Sequence, residues 1–474
     1  MKQDLWKYSI YELIKGYKKK KFNPVEVVES IINKISNDNN RLNAYVYFNE
    51  DSVLKQAKNS KFKLEQNKPI RILEGIPISI KDLIVTKDMP TYRGSKSLSI
   101  EIKSNYDAPV VKKLKDMGAI ILGKTASPEF GHKGTTQSLK HGVTNNPWNL
   151  SYNTGGSSGG SCAAVAAGLG PGSIGTDGGG SIRIPCSFCG LFGHKPTFGK
   201  VPAYPLSPFG TIANLGPITR NVKDGGILMN SIASPDLLDW HSLPKEKTNY
   251  NFFDKNVRSN FKVGYSKFWG MEKYFRKSLM NKEVLIKIEE SISILSASGL
   301  KIEETKLIDW PHSPLEIFLI MWKAGAANLA RKISKSDLDK LEPSFRDFIE
   351  EGKKYTMFDL MDVEAKRAEN SIHMKKIYTN LNAIIGPTLP VLPFDTNKNV
   401  PNGFPEKDLF SWLPFTYPFN LTKNPASNIN VNFSDSGLPI GLQIVTDIHK
   451  DKSCFDLAFF IEEVLGITKK WPIY

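Results

Sequence analysis

A stretch rich in glycine and serine, residues 155–183, constrains this chain more than any other. Eleven of the 36 glycines fall in these 29 residues, most of them in two clusters around Ser157 and Ser181. Glycine has no Cβ, so a backbone built from it can turn tightly and bring N–H groups close to a ligand. Two such turns that each present a serine hydroxyl suit acyl transfer, in which one serine attacks and nearby N–H groups hold the oxyanion. The segment AAVAA between them, residues 163–167, predicts a small-residue helix that fixes the two turns relative to each other.

Three motifs carry a resemblance to a known family. The chain reads GIPISIKD around Lys81, GGSSGGS around Ser157 and GTDGGGSIRIP around Ser181. These motifs resemble the amidase signature family of serine hydrolases, whose members use a lysine, a serine that follows a cis peptide bond, and a nucleophilic serine. Ser157 and Ser181 lie 24 positions apart, which is the separation of the two serines in that family. The resemblance extends from the N-terminal helices to GLPIGLQIV near residue 445, which is nearly the whole chain.

The resemblance implies a role for each residue of the site. It makes Lys81 the base, Ser157 the cis serine and Ser181 the nucleophile of a Ser-Ser-Lys triad. Ser158 is implied as a supporting hydroxyl, although an ordinary turn serine is an equally good interpretation. The remaining implied residues are the backbone of Gly178, Gly179, Gly180 and Ser181 as oxyanion donors, Thr176 as the partner of the cis serine, and Asp177 with Arg183 as a charged pair bracing the nucleophile loop.

A lysine serves as a base only when it is neutral. Its ordinary pKa is about 10.4, and each unit of depression costs about 1.4 kcal/mol. Burial against apolar walls can depress the pKa because it disfavours the ammonium form. Lys81 follows the apolar strand predicted at residues 76–80, which allows such burial. On this local pattern a surface ion pair with Asp82 is equally compatible, and the family resemblance favours the catalytic interpretation.

Helices that alternate with short apolar strands predict the fold class. We expect one α/β domain, residues 1–474, with a central mixed sheet covered by helices on both faces. Asn23, Pro24 and Glu26 form a helix start signal, with an N-cap, a proline at N1 and a glutamate at N3. The predicted segments are an N-terminal helical segment at about 1–68, a catalytic core at about 70–220, a variable pocket region at about 221–400, and closing strands and helix at about 401–474.

Composition limits the other function classes. The formal charge is +15, but the lysines are spread along the chain, which is more typical of a solvated surface than of a nucleic-acid footprint. Four cysteines do not make a disulfide framework, and the C-x-x-C of Cys186 and Cys189 has no second pair for a zinc site. We therefore predict no metal and no cofactor. Because no signal peptide or apolar run of membrane-spanning length occurs, a cytoplasmic protein without a membrane partner is expected.

Several generic motifs match and are rejected. Residues 118–125 spell a P-loop, but their middle residues read as a strand preceded by a helix. Residues 170–175 spell G-x-G-x-x-G, but they follow a helix and open no further one. Residues 155–159 spell the hydrolase elbow G-x-S-x-G, which must follow a strand, and the preceding residues read as loop. Counting does not exclude a Ser-His-Asp triad, because His132, His141 and His194 surround the core.

Departures from the family pattern bear on the substrate. Lys423 replaces the glycine that often follows PFNLT, Asn428-Ile429-Asn430 replaces the usual Val-Pro, and Gly178 replaces a residue with a side chain. These departures leave the acyl and leaving-group pockets undefined. The acyl pocket is predicted to be apolar, with aromatic residues as its candidates, although such residues are as often plain core: Phe410, Trp412, Phe415, Tyr417 and Phe419.

We predict an amidase that hydrolyses a small linear carboxamide through an acyl-enzyme, and a homodimer is left open. The first alternative is the glutaminase subunit of a tRNA-dependent amidotransferase, which shares the triad. Such subunits typically carry an aspartate for the glutamine amino group, and the equivalent position here is Leu413. The second alternative is a non-catalytic nucleotide- or nucleic-acid-binding protein, which ATP or RNA binding at moderate salt would favour.

Overall fold

The computed structural model describes residues 4–66, 70–97, 102–304, 308–467 and 470–474. The two ends of the predicted N-terminal helical segment, residues 1–3 and 67–68, lie outside these ranges. The strands are β1 Tyr45–Phe48, β2 Pro77–Lys81, β3 Ile120–Thr125, β4 Gln137–Ser138, β5 Gly142–Val143, β6 Asn145–Asn146, β7 Asn149–Asn153, β8 Gly172–Asp177, β9 Phe192–Lys195, β10 Asn214–Thr219, β11 Lys262–Tyr265, β12 Lys301–Glu304, β13 Ala383–Pro387, β14 Ala426–Phe433 and β15 Pro439–Val445. The helices are α1 Ile10–Lys18, α2 Pro24–Leu42, α3 Glu50–Glu65, α4 Pro109–Asp116, α5 Gly159–Ala166, α6 Arg183–Cys189, α7 Val222–Ile232, α8 Val257–Asn260, α9 Lys282–Ala297, α10 Pro314–Ala330, α11 Lys335–Leu338, α12 Pro343–Gly352, α13 Met357–Ile377, α14 Pro418–Leu421 and α15 Asp451–Leu465.

Eleven strands of the described chain form one mixed sheet, in the order β1-β3-β2-β8-β10-β9-β14-β15-β13-β11-β12. The pairs β2–β3, β2–β8, β11–β12 and β11–β13 are parallel, and the other pairs are antiparallel. Helices pack against this sheet, as the alternating pattern of helices and strands predicted. The α/β fold class with a central mixed sheet is therefore confirmed.

The parallel pairing of β2 with β8 sets the position of the site. Ile78 lies opposite Gly172 and Ile80 opposite Ile174, so both strands end at the same edge of the sheet. Lys81 is the last residue of β2. The glycine-rich turn that carries Ser181 begins directly after β8. The sheet register thus brings two motifs that are about a hundred residues apart in sequence to one edge.

The local signals at the N-terminus hold in the structure. Asn23 caps α2, its side chain accepts from Val25 N and Glu26 N, and the Glu26 side chain completes the capping box. The predicted strand before Lys81 and the small-residue helix α5 are also present. The sequence analysis did not identify β1, β10 or β14. Each of these strands takes its place through pairing with distant neighbours, which a local pattern does not reveal.

One local prediction is wrong. The residues before the first glycine cluster were interpreted as loop, but β6 and β7 form a small hairpin there. Cys186 and Cys189 both belong to helix α6. The four cysteines are free and buried, and none of the helices in the described part of the chain is long and apolar enough to span a membrane.

Candidate active site

A cavity of about 670 Å³ opens at the edge of the sheet where β2 and β8 end. Ser157, Thr176, Gly178 and Ser181 all contribute to its wall. Both glycine-serine turns therefore face the same space, as the sequence analysis predicted. Most other lining residues are apolar, and among the largest are Phe130, Phe209 and Trp322.

Lys81 is fully buried and does not line this cavity itself, but it contacts two residues that do, Ser157 and Thr176. Its Nζ is 2.7 Å from Ser157 Oγ and 2.8 Å from Thr176 Oγ1. Among the residues that the structure describes, Lys81 makes no ion pair, so the alternative of a surface pair with Asp82 is wrong. Asp82 instead uses its carboxylate to accept from the backbone N–H groups of Tyr92 and Gly94.

Burial lowers the pKa of Lys81 well below its ordinary value of 10.5. The negative charge of Asp177 acts in the opposite direction, but it does not offset the loss of hydration. A neutral amine has two N–H donors and one lone pair. It can therefore donate to Thr176 Oγ1 and accept the proton of the Ser157 hydroxyl, which an ammonium group cannot do.

The two serines differ in how they join this chain of groups. The Gly156–Ser157 peptide bond is cis, which matches the expectation from the resemblance. The backbone carbonyl of Ser181 accepts from Ser158 N at 3.1 Å, which ties the two turns together. The hydrogen bonds of the described residues include none between the Ser157 and Ser181 hydroxyls. Catalytic hydrogen bonds are often long without substrate and tighten in the complex. A proton relay from Ser181 to Ser157 is therefore compatible with this arrangement.

The Thr176 hydroxyl has a partner other than the predicted one, and the Ser158 hydroxyl bonds to the backbone of Thr176. The resemblance paired Thr176 with the cis serine, but its hydroxyl is bonded to Lys81 Nζ instead. Thr176 therefore helps to fix the position of the Lys81 amine. Ser158 Oγ donates to the carbonyl of Thr176 at 3.1 Å and lies 3.3 Å from Thr176 N. Ser158 thus connects the first glycine turn to the end of β8, which agrees with a supporting role.

The backbone N–H groups of the loop at residues 178–181 differ in whether they have a hydrogen-bond acceptor. Gly180 N donates to Asp177 Oδ1 at 2.8 Å, so the predicted oxyanion role of Gly180 is not the role that its N–H has here. Within the described residues, the N–H groups of Gly178, Gly179 and Ser181 have no backbone or side-chain acceptor. Those three donors remain candidates for an oxyanion. Gly180 itself has φ +127°, and a Cβ at this position would meet the hydroxyl of Thr416.

The predicted pair of Asp177 and Arg183 is fully buried beneath the loop. Arg183 Nη2 donates to Asp177 Oδ1 at 2.9 Å, and Arg183 Nε donates to Asp177 Oδ2 at 3.0 Å. Arg183 also donates to Thr416 O, Gln443 Oε1 and Asn420 Oδ1. Burial alone would raise the pKa of Asp177, but the Arg183 charge and these hydrogen bonds hold it well below its ordinary value. The pair therefore remains charged and fixes the loop.

Asp177→Asn is expected to destabilise the protein strongly, because Arg183 would then be a buried charge without its counter-ion. Breaking a buried pair in this way typically costs about 3–5 kcal/mol. The melting temperature should therefore fall by many degrees. The double variant Asp177→Asn with Arg183→Met is the matched control, since it removes both charges and should recover part of the loss. If the single variant melts at the wild-type temperature, the pair does not brace the loop.

An aromatic side chain occupies the space that Gly178 leaves open. A Cβ at residue 178 would lie 3.1 Å from the ring of Trp322. Trp322 donates through Nε1 to His132 O at 3.1 Å and stacks on Phe209 with ring centroids 3.9 Å apart. Trp322 from α10 therefore packs against the loop at Gly178, where the glycine itself has no side chain.

The predicted aromatic wall of the acyl pocket is wrong. The five aromatic residues at positions 410–419 are buried in the core, and none of them lines the cavity. Phe209 and Trp322 line it instead, and neither was identified from the sequence. Their signal was weak, because nothing in the local pattern distinguishes them from core aromatics. Both reach the cavity through tertiary packing of segments far from the glycine-rich motifs.

The three histidines near the core do not complete a triad. His194 is buried in β9, where its ring nitrogens lie 2.8 Å from Ser427 Oγ and 3.3 Å from Asp451 Oδ1. His132 lies against Glu129 O and Ser344 Oγ. Neither they nor His141 line the cavity. Across the described ranges, no group of three or more His, Cys, Asp or Glu side chains is arranged to hold a metal ion.

Comparison with known proteins agrees with this geometry. The family model described as Amidase matches residues 26–455. The A subunit of the glutamyl-tRNA(Gln) amidotransferase of Halothermothrix orenii is 32% identical, with 99% of each chain covered. An acylamidase of Rhodococcus erythropolis is 30% identical, with 99% of this chain and 98% of the relative covered.

Solved structures give the same result. A bacterial aryl acylamidase of the amidase signature family superposes with a TM-score of 0.87 at 26% identity, covering 98% of this chain and 99% of the other. The A subunit of the glutamyl-tRNA(Gln) amidotransferase of Thermotoga maritima superposes with a TM-score of 0.78 at 27% identity, covering 97% and 95%. These similarities agree with the three motifs and with the sheet that brings them together. The chain therefore belongs to the amidase signature family and is an enzyme that acts on the C–N bonds of amides.

Proposed function

We propose that this chain hydrolyses a linear carboxamide by itself, with Lys81 as base, Ser157 as proton relay and Ser181 as nucleophile. The observation that carries the proposal is the contact of 2.7 Å between Lys81 Nζ and Ser157 Oγ. Lys81 is fully buried there, and in the described part of the chain no carboxylate pairs with it. A neutral amine beside a serine hydroxyl has little structural use, whereas it is what an activated serine requires.

The proposed reaction uses the same three groups twice. The Ser181 hydroxyl transfers its proton to Ser157 Oγ while Ser157 transfers its own to Lys81 Nζ. Ser181 Oγ bonds to the amide carbon, and the oxyanion accepts from the unused N–H groups at 178, 179 and 181. The C–N bond then breaks as the relay returns a proton to the leaving nitrogen, which leaves as ammonia or an amine. Water attacks the resulting ester by the same relay and releases the carboxylate and Ser181.

The lining of the cavity favours a carboxamide without an ammonium group over free glutamine. None of the described residues that line it is Asp or Glu. Glutamine carries an ammonium group that needs a negative partner once it leaves water. Leu413, at the position where amidotransferase subunits carry an aspartate, is buried and does not line the cavity. The proposal therefore places this chain with amidases that act without partner subunits or nucleic acid.

A substrate panel tests this proposal. The purified chain alone is expected to hydrolyse neutral aliphatic or aryl carboxamides. It should also hydrolyse glutaramate, which is glutamine without its amino group, faster than glutamine. Ammonia release measures each rate, and the corresponding ethyl esters show whether acylation is confined to amides. Comparison of glutaramate with glutamine isolates the ammonium group, since the two molecules are otherwise the same.

The glutaminase component of an amidotransferase is the second candidate, because the A subunit of a glutamyl-tRNA(Gln) amidotransferase is 32% identical over 99% of this chain. This candidate requires glutamine to be the better substrate and its hydrolysis to depend on added partner subunits and charged tRNA. That outcome would overturn the proposal. A chain that hydrolyses carboxamides alone and prefers glutaramate to glutamine would support it.

A further inference from the structure

We infer that Trp322 is a specificity-determining residue that limits the acyl group of the substrate to one without a branch at the carbon next to the carbonyl. This role rests on the proposed function, because it concerns the cavity that holds Ser181. The ring of Trp322 lines that cavity beside Gly178, at the start of the nucleophile loop. The substrate class that fits is an apolar carboxamide with a straight acyl chain.

The side of the cavity that receives the leaving nitrogen is set by Ser157. In the proposed reaction Ser157 returns a proton to this nitrogen, so the two must come within hydrogen-bond reach of each other. Gly131 lies next to Ser157, since a Cβ on Gly131 would be 3.1 Å from Ser157 Oγ and 2.8 Å from Leu83 Cδ1. Gly131 and Leu83 both line the cavity. The amine or ammonia therefore leaves along this side.

The acyl group is directed to the wall beside the oxyanion donors. The amide carbon has three substituents, of which the oxygen is held by the N–H groups of the nucleophile loop and the nitrogen faces Ser157. The third substituent, the acyl carbon, lies against the part of the wall that contacts the loop. Trp322 and Ala213 form this part, because both line the cavity and lie 3.1 and 3.9 Å from the position of a Cβ at Gly178.

The ring of Trp322 is held in place beside the loop. It stacks on Phe209 with an interplanar angle of 5°, and on Phe318 with ring centroids 5.0 Å apart. Its Nε1 donates to His132 O at 3.1 Å. Gly325 permits the close stacking, because a Cβ there would be 2.9 Å from the Phe209 ring. Trp322 is therefore a fixed boundary, since a close-packed interior leaves such a ring no space to turn away.

A fixed ring edge beside the carbonyl site selects substrates by shape. The atoms of Trp322 closest to Gly178 belong to the outer edge of its six-membered ring. A methyl branch on the carbon next to the carbonyl meets this edge, whereas a straight chain does not. One methylene group in a hydrophobic pocket changes kcat/KM by about 10- to 200-fold. Most other lining residues are apolar, so the rest of the acyl group can be an alkyl chain.

Two series of amides test this assignment. The acyl series is propionamide, isobutyramide and pivalamide, which share ammonia as the leaving group. The amine series is propionamide with its N-methyl, N-ethyl and N-isopropyl derivatives, which share one acyl group. Trp322→Leu should raise kcat/KM for pivalamide relative to propionamide by about tenfold or more and leave the ratios within the amine series unchanged. The intrinsic reactivity of each amide cancels, because the same compounds are compared in the wild type and the variant.

Two further variants separate the sides of the cavity. Leu83→Ala widens the side at Ser157, so it should raise kcat/KM for N-isopropylpropionamide relative to propionamide and leave the acyl series unchanged. Ala213→Val narrows the acyl side and should lower the ratio of isobutyramide to propionamide. Ala213 is half-buried, so this variant tests the acyl wall even if Trp322→Leu fails to fold.

Trp310→Leu is the matched control for the loss of a buried tryptophan. Trp310 is buried and donates through Nε1 to Trp269 O at 2.9 Å, but it is not among the described residues that line the cavity. This variant should melt at a lower temperature and keep the wild-type ratios. Acyl ratios that stay unchanged in Trp322→Leu and Ala213→Val, or an equal change in the amine series, would overturn the inference.

A binding measurement separates the role of Trp322 from the proposed function. Ser181→Ala can be titrated with the acyl series by calorimetry, which requires no turnover. Propionamide should bind more tightly than pivalamide, and the addition of Trp322→Leu should remove this difference. That result supports the acyl assignment even where no amide is hydrolysed, a failure that contradicts only the proposed function. The same difference in affinity with and without Trp322→Leu contradicts the role of Trp322.

Discussion

Ser181→Ala is expected to abolish amide hydrolysis and leave the fold intact. Ser181 lines the cavity beside the N–H groups that have no acceptor among the described residues, and its hydroxyl is the nucleophile of the proposed acyl-enzyme. Loss of the nucleophile in a serine hydrolase costs about six orders of magnitude in kcat, because the relay and the oxyanion donors have nothing to activate. Ammonia release from the best carboxamide of the panel should fall by about this factor.

The stability of this variant is the second measurement. Within the described residues the Ser181 hydroxyl makes no hydrogen bond with Ser157, and the main-chain contact of Ser181 with Ser158 does not depend on it. The melting temperature should therefore stay within a few degrees of the wild type. Ser187→Ala is the matched control, since Ser187 lies in α6 and does not line the cavity, and it should retain activity. Residual hydrolysis by Ser181→Ala that resists further purification would move the nucleophile to another residue.

The parts of this site that the sequence predicted are those with an unusual local composition. The glycine clusters stand out because few structures other than tight turns use so many glycines, and the motif around Lys81 follows a recognisable strand. In the structure Ser157 and Ser181 line one cavity, and Lys81 contacts Ser157 from behind its wall. Asp177 and Arg183 were also predicted, since their positions are fixed by the same motif.

The parts that were missed depend on contacts between distant segments. Phe209 and Trp322 enter the cavity from segments far apart in the chain, and Trp322 fills the space beside Gly178. Whether the Thr176 hydroxyl meets Ser157 or Lys81 is decided by side-chain geometry in the folded site, which no pattern of residues encodes.

Lys81→Met is expected to eliminate activity and to raise the stability of the protein. The methionine keeps the volume of the side chain but has no lone pair to accept the Ser157 proton, so kcat should fall by about a thousandfold or more. In the wild type, activity needs the neutral amine. The rate should therefore fall as pH drops through the lowered pKa of Lys81 and be level above it. A wild-type rate that is flat from mildly acidic to basic pH would contradict lysine as the base.

The stability gain follows from the direction of the same pKa shift. Between the lowered pKa of the folded state and the ordinary value of 10.5, the unfolded chain binds one more proton at Lys81 than the folded chain does. Folding stability then rises with pH over this interval, and at neutral pH the native state is destabilised by its deprotonated lysine. Lys81→Met removes that destabilisation, so its melting temperature should exceed that of the wild type at neutral pH, with the difference shrinking towards pH ~10.

Lys195→Met is the matched control for the effect of burial alone. Lys195 is also fully buried, with its pKa lowered to about 7, but its Nζ donates to the carbonyl of Pro196 and contacts neither serine, so this variant should gain stability and keep its activity. If both variants gain stability and only Lys81→Met loses turnover, the buried amine at position 81 is retained for catalysis although it lowers stability. Equal activity in the two variants would mean that Lys81 is an ordinary buried lysine.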